Sequence, residues 1–294
     1  MKSLSKNRSS PLNRVNSRPT QEMLVADDPT IRPQRPGESF ARRAIPALAG
    51  LGRAVLTRLL DVILPPTCIA CSSETGTAQG LCVSCWSEIR FLGLPACARC
   101  GLPFPYDAGA DALCPACIAS TSAVDRLRAV FAYDDKSRGL ILSFKHGDRL
   151  QGVPAFGGWL ARAGAPLISA ETIIVPVPLH WTRLFNRRYN QSALLDQALA
   201  VAVAGSQNLK LAVAPTLLIR RRRTRSQGRL GRMSRQENVR AAFAVDPTAT
   251  IKGKSFLLID DVLTTGATIE ECARALKRAG AARVDALTLA RALR

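Results

Sequence analysis

The stretch FLLIDDVLTTGAT, Phe256 to Thr268, sets two adjacent aspartates at the end of an apolar run and follows them with a hydroxyl-rich loop. Phe256 to Ile259 read as a buried strand with Asp260 and Asp261 at its carboxyl end. Val262 to Gly266 read as a loop, and Thr268 opens a helix. In open α/β sheets, ligands bind just outside the carboxyl ends of the strands. A helix that starts there presents unpaired N–H groups and a positive dipole end, which suits a phosphate. Thr264, Thr265 and Thr268 add hydroxyl donors, and Gly266, next to Ala267, lets the backbone approach closely. Two carboxylates just before that cradle are placed to accept hydrogen bonds from vicinal sugar hydroxyls. The string therefore reads as a site for a ribose 5-phosphate. An acidic turn capping a helix explains one or two of these residues, but not the whole string.

The flanking sequence supports the sheet. DRLRAVFAYD reads as a strand, SRGLILSFKH and GVPAFGGWLARAG as helices, and ETIIVPVP as a strand whose near-continuous apolar run suits a buried parallel sheet. A helix over NQSALLDQALAVAVAG follows, then a strand near PTLLI, an arginine-rich segment and a strand-like Phe243 to Val245. KSFLLID, the helix TIEECARALKRAG closed by Gly280, and the strand RVDALTLAR complete the series. Strands alternating with helices give an α/β fold with parallel strands.

Upstream lies a different pattern, with four CxxC pairs: Cys68/Cys71, Cys82/Cys85, Cys97/Cys100 and Cys114/Cys117. Four such pairs at knuckle spacing point to tetrahedral zinc. Ten residues separate Cys71 from Cys82 and thirteen separate Cys100 from Cys114, enough for a hairpin in each half. Eight thiolates suit two Zn²⁺ ions, the first four cysteines holding one and the last four the other. Alternating pairing across the halves, or one site lost, stays open. All-cysteine sites leave no position for water, so the metal is expected to be structural and to supply stability that so short a segment lacks. Disulfides compete only if the chain is exported, and no secretory h-region precedes them. Trp86, Phe91 and Phe104 offer rings for base stacking, although packing on the small ribbon core explains them too. The ninth cysteine, Cys272, reads as a buried small side chain.

The chain of 294 residues divides into a basic leader over 1–38, an amphipathic helix over 39–64, a cysteine-rich module over 65–120 and the α/β domain over 121–294. No segment reads as a membrane span, because Arg53, Arg58 and Asp61 interrupt the most apolar early stretch. A cytoplasmic location is the expectation. Lys and Arg number 41 against 22 Asp and Glu, a net charge of +19. Such an excess points to polyanionic partners, nucleic acid or phosphorylated small molecules; an arginine-rich codon usage explains part of it.

LLIDDVLTTGAT is similar to the phosphoribosyl diphosphate (PRPP) motif of type I phosphoribosyltransferases. The cysteine module followed by FKHGDR, VPVPLHWTRLFNRRYNQSALL and RTRSQGRLGRMSRQENVRAAFAV resembles the competence protein ComF family, from about Leu60 to Leu293. The resemblance implies a type I phosphoribosyltransferase-like parallel sheet flanked by helices, with an N-terminal double zinc ribbon whose two sites are each made of four cysteines. It implies that Asp260 and Asp261 contact the ribose hydroxyls and serve catalysis, and that Thr264, Thr265, Gly266, Ala267 and Thr268 hold the 5-phosphate. It further implies PRPP with Mg²⁺, and a role in DNA uptake beside other competence proteins. The turn after VPVP, through Arg187, Arg188, Asn190 and Gln191, resembles the pyrophosphate-side loop. This chain reads RRYNQ there, with Arg188 where the family pattern RGFNQ has a glycine.

IRRRRTRSQGRLGRMSR corresponds to the mobile hood of such transferases, and Arg223, Gln227, Arg235 and Asn238 are its candidate contacts. Cations there stabilise a departing pyrophosphate. The same arginines suit the backbone of single-stranded DNA, and a solvated charged loop is the plain alternative. Lys145 and Arg149 are placed to meet phosphate or to cap a surface helix. His146 and His180 lack metal-ligand spacing, and no nucleophile–base pair supports hydrolysis.

Overall fold

The computed structural model describes residues 66–76, 80–146, 150–178, 190–221 and 241–293. The expected leader and the helix over 39–64 lie outside them. So do Arg149, His180, Arg187, Arg188, Arg223, Gln227, Arg235 and Asn238.

Five parallel strands form the central sheet: β1 (Leu127–Ala132), β2 (Thr172–Pro176), β3 (Ala212–Val213), β6 (Ser255–Leu263) and β7 (Arg283–Arg291), in the order β1-β7-β6-β2-β3. β7 is buried along nearly its whole length, and β6 from Phe256 to Ile259, as expected when helices cover both faces. On one face α6 (Ala267–Arg278) packs Ile269, Cys272 and Leu276 against Phe256, Leu258, Val284 and Ala286. On the other, α3 (Asp135–His146), α4 (Val153–Gly164) and α5 (Gln191–Gln207) bring Ile141, Phe144, Leu160, Leu195 and Leu199 onto Leu257, Ile259, Leu287 and Leu289. The period-two alternation of β6 sorts its side chains between these two cores. α4 and α5 cross at Gly157, where a Cβ would lie 2.4 Å from the Ala198 carbonyl oxygen.

Two elements differ from the sequence reading. The apolar run near PTLLI forms β4 (Leu218–Arg220), which pairs antiparallel with β5 (Phe243–Val245) in a separate hairpin. The sheet edge is taken by the two-residue β3, too short to show any period. β6 also runs past the aspartates, to Leu263. Its ladder with β7 continues through Leu263↔Arg291, whereas β2 stops at Pro176, opposite Ile259. Asp260 and Asp261 thus stand on a strand end that overhangs β2.

The cysteine module carries two short helices, α1 (Val83–Glu88) and α2 (Pro115–Ala119). Its first half meets the sheet domain through rings: Trp86 lies 4.4 Å from Phe91 between centroids, and Phe91 lies 5.5 Å from Trp159 of α4. Phe91 also bridges to Phe131 of β1. These rings pack on the neighbouring helix and strand rather than on a ribbon core, and Phe104 is half-buried. No described helix is long and apolar enough to cross a membrane.

Candidate functional site

The overhanging end of β6 is built by contacts from three elements. Asp260 Oδ1 accepts from the Asp261 N–H at 2.9 Å and from the Ser192 hydroxyl of α5 at 3.3 Å. Asp261 Oδ2 pairs with Lys145 Nζ of α3 at 3.1 Å. Burial, reinforced by the Asp261 charge, pushes the Asp260 carboxyl up to about 7 against the opposing pull of Lys145 and Ser192. Asp260 thus titrates near neutrality, where a small change in surroundings switches it between acceptor and donor.

Asn190 sits at the N-cap of α5, where its side chain accepts from the Ser192 N–H. Gln191 is only 2% exposed, and its amide nitrogen donates to the Lys145 carbonyl at 3.0 Å. Gln191 therefore ties α5 to the end of α3, beside the Lys145–Asp261 pair. Ser192 was not among the residues singled out from sequence. The readable cue was only that it follows the helix cap.

Beyond Leu263, Thr264 is exposed while Thr265 and Gly266 are half-buried. Gly266 caps α6 with φ of 78°, a left-handed conformation that other residues adopt with strain. Thr265 Oγ1 accepts weakly from the Ala267 N–H at 3.4 Å. The opening turn of α6 is fixed from outside. Glu270 accepts from the Ser122 hydroxyl at 2.6 Å, and the buried Glu271 accepts from the Ala241 N–H at 3.1 Å, where the arginine-rich segment ends. Arg274 bridges both glutamates. A cavity of about 530 Å³ borders the loop on its ribbon side, lined by Thr264, Thr265 and Gly266 and by Arg99 and Cys117 opposite. Neither aspartate is among the residues that line it.

The cysteines fall into two groups, Cys68/Cys71/Cys82/Cys85 and Cys97/Cys100/Cys114/Cys117, with each set of sulfurs mutually within 4.8 Å. The grouping is by consecutive pairs. Cys71 and Cys82 sulfurs are 3.7 Å apart, as are those of Cys100 and Cys114. A tetrahedral zinc site of four sulfurs, with bonds of about 2.3 Å, separates its sulfurs by about 3.8 Å, so these residues fit zinc. The Ser84 hydroxyl and the Cys85 N–H hold the Cys82 thiol down to about 5, whereas burial and the neighbouring sulfurs push Cys85 up. Cys272, in contrast, is fully buried in the α6 core.

Residues 59–122 match the double zinc ribbon domain family, and residues 193–294 match the phosphoribosyl transferase domain family. Competence protein F of Haemophilus influenzae is 28% identical over 240 residues, spanning 76% of this chain and 96% of that protein. The DNA utilization protein YhgH of Escherichia coli K12 is 32% identical over 237 residues, spanning 78% and 99%. Among solved structures, the glutamine PRPP amidotransferase of B. subtilis is 18% identical with a TM-score of 0.32, covering 50% of this chain and 30% of that one. A hypoxanthine phosphoribosyltransferase of Staphylococcus aureus is 15% identical with a TM-score of 0.29, covering 47% and 64%. With a double zinc ribbon ahead of a phosphoribosyltransferase-type domain, the chain belongs to the ComF family of competence and DNA utilization proteins.

Proposed function

We propose that the β6–α6 connection binds PRPP or a closely related phosphorylated ribose together with Mg²⁺, in the service of DNA uptake or use on the cytoplasmic side. The observation that carries this reading is the pair Asp260–Asp261 on the overhanging end of β6, directly before the loop that opens α6. Asp260 and Asp261 accept from the ribose hydroxyls. The first amides of α6, with Thr264, Thr265 and Thr268, take the 5-phosphate. Lys145 and Ser192 hold the two carboxylates apart and oriented.

The donor set suits Mg²⁺ only as a partner of the ligand. One Asp261 oxygen faces Lys145 and one Asp260 oxygen faces Ser192, so the ion's remaining ligands come from the ligand's phosphates and water. Bound in that way, it supplies charge neutralisation for pyrophosphate. In a transfer reaction the C1–oxygen bond to pyrophosphate breaks and its electron pair leaves with that group. The acceptor's nucleophile bonds C1 and passes its proton to water.

Equilibrium binding with Mg²⁺ tests this reading through a ligand series. PRPP should bind most tightly, and ribose 5-phosphate should exceed 2-deoxyribose 5-phosphate by about 10-fold, the worth of one hydrogen bond to a charged group. Equal binding of the ribose and deoxyribose forms would contradict the role given to the aspartates. The net charge of +19 favours a second reading, in which the protein handles single-stranded DNA along its backbone. That reading requires affinity to fall steeply between low and physiological salt, and to weaken when Arg220 to Arg223 are neutralised.

A further inference from the structure

The second cysteine cluster is bonded to the strand that supports the loop. Arg291 ends β7, and its guanidinium donates to the Cys100 carbonyl and lies 3.6 Å from the Cys100 sulfur. The same residue faces Leu263, the last residue of β6, across the ladder, and the Ala292 N–H donates to the Leu263 carbonyl at 2.9 Å. Leu263 leads directly into Thr264, Thr265 and Gly266.

Further bonds fasten this half of the ribbon to β1. The Leu127 N–H donates to the Arg99 carbonyl at 2.7 Å, and Arg128 Nη2 donates to the Ala98 carbonyl at 3.0 Å. Gly101 passes so close that a Cβ would sit 2.7 Å from the Leu127 carbonyl oxygen, and its φ of 65° is left-handed. The sulfurs of the first cluster are held differently. Cys71 and Cys82 pair with the hydroxyls of Ser73 at 3.0 Å and Ser84 at 3.1 Å, both within the ribbon itself, and Cys71 is exposed.

Charge gives this difference a consequence. Four thiolates around a divalent ion leave a net charge of about −2, which a neighbouring cation offsets. Among the described residues, Arg291 has no carboxylate partner, so its positive charge is directed at the sulfur site. From this geometry we propose that Arg291 is a positioning residue that links the second zinc site to the loop. Metal held by Cys97, Cys100, Cys114 and Cys117 keeps the Arg291–Leu263 rung in place, and that rung orders residues 263–267. By thermodynamic reciprocity, ordering the loop tightens metal binding at the second site. The first half also meets β1, through Arg90, Phe91 and Leu92, but among the described residues its sulfurs make no bond to Arg291 or Leu263, so its metal is expected to leave the loop unaffected. The link does not depend on which ligand the loop takes.

The test uses the full zinc-loaded chain under rising chelator. Native mass spectrometry counts the bound zinc, cysteine alkylation maps which site has emptied, and hydrogen exchange follows the amides of residues 263–268. Emptying the second site should speed exchange at 263–268, whereas emptying the first should not. Arg291→Met should lower zinc retention at the second site about 10- to 100-fold, the usual effect of losing an outer-shell partner. Arg291→Lys should recover part of that loss, because it restores the charge without the fork. Loop exchange that ignores the second site would overturn the proposal, as would a retention curve unmoved by Arg291→Met, or a Lys variant no better than Met. If Arg291→Met does not fold, stepwise removal in the unmodified chain still decides the matter.

Discussion

Asp196 should be a net cost to this fold, and replacing it should stabilise the protein. It lies in α5 with no exposed surface, and neither carboxyl oxygen has a hydrogen-bond partner among the described residues. Burial pushes its carboxyl well above the ordinary range, which favours the neutral form. A buried, unsatisfied polar group costs about 1–3 kcal/mol. Asp196→Ala removes that cost, leaves a small void worth about 0.5 kcal/mol, and gains about as much in helix preference. The expected net gain is about 1–3 kcal/mol, at about 2–4 °C in Tm for each.

The pH dependence follows from the same shift. Because the folded pKa is raised, the stability owed to the acid form is complete below the unfolded value of about 3.9 and declines as pH rises toward the folded value. Wild type should therefore lose stability relative to Asp196→Asn as pH rises from the ordinary carboxylate range toward the raised folded value. Urea unfolding of the zinc-loaded chain across that range measures it. A less stable Asp196→Ala, together with parallel pH profiles for wild type and Asp196→Asn, would show that the carboxylate has a partner and would refute the reasoning.

Gly157→Ala should lower stability by about 1–3 kcal/mol, since the added methyl meets the Ala198 backbone where α4 and α5 cross; an unchanged denaturation midpoint would mean that the crossing gives way freely. If Asp260 accepts from ribose hydroxyls as a carboxylate, PRPP affinity should rise with pH through about 7. Lys145→Met removes a cation that lowers the Asp260 pKa, so it should move that midpoint upward, and a midpoint that stays put would separate Asp260 from binding. Lys145→Met should also cost about 1–2 kcal/mol of stability, because it leaves the Asp261 carboxylate largely buried without its cation.

The parts of the fold set by local pattern were readable in advance. The apolar runs of β6 and β7, the Gly280 stop and the four cysteine pairs each encode their element within a dozen residues. What escaped depends on contacts far apart in sequence. β3 is two residues long and exists only because β2 offers it an edge. The strand near PTLLI has the right composition, but its partner is Phe243–Val245 rather than the sheet. Ser192 meets Asp260 across 68 positions, and Arg291 meets Cys100 across 191. No local period carries either contact. Asp196 reads as an ordinary polar position beside Leu195 and Leu199, and only the elements packed on α5 bury it.

The central claim is that Asp260 and Asp261 receive a phosphorylated ribose, and calorimetric titration of the zinc-loaded chain with PRPP and Mg²⁺ tests it most directly. Wild type should bind with a dissociation constant on the order of micromolar, near −8 kcal/mol, and the Asp260→Asn/Asp261→Asn double variant, folded and zinc-loaded, should give no measurable heat. Equal binding by both proteins would contradict it.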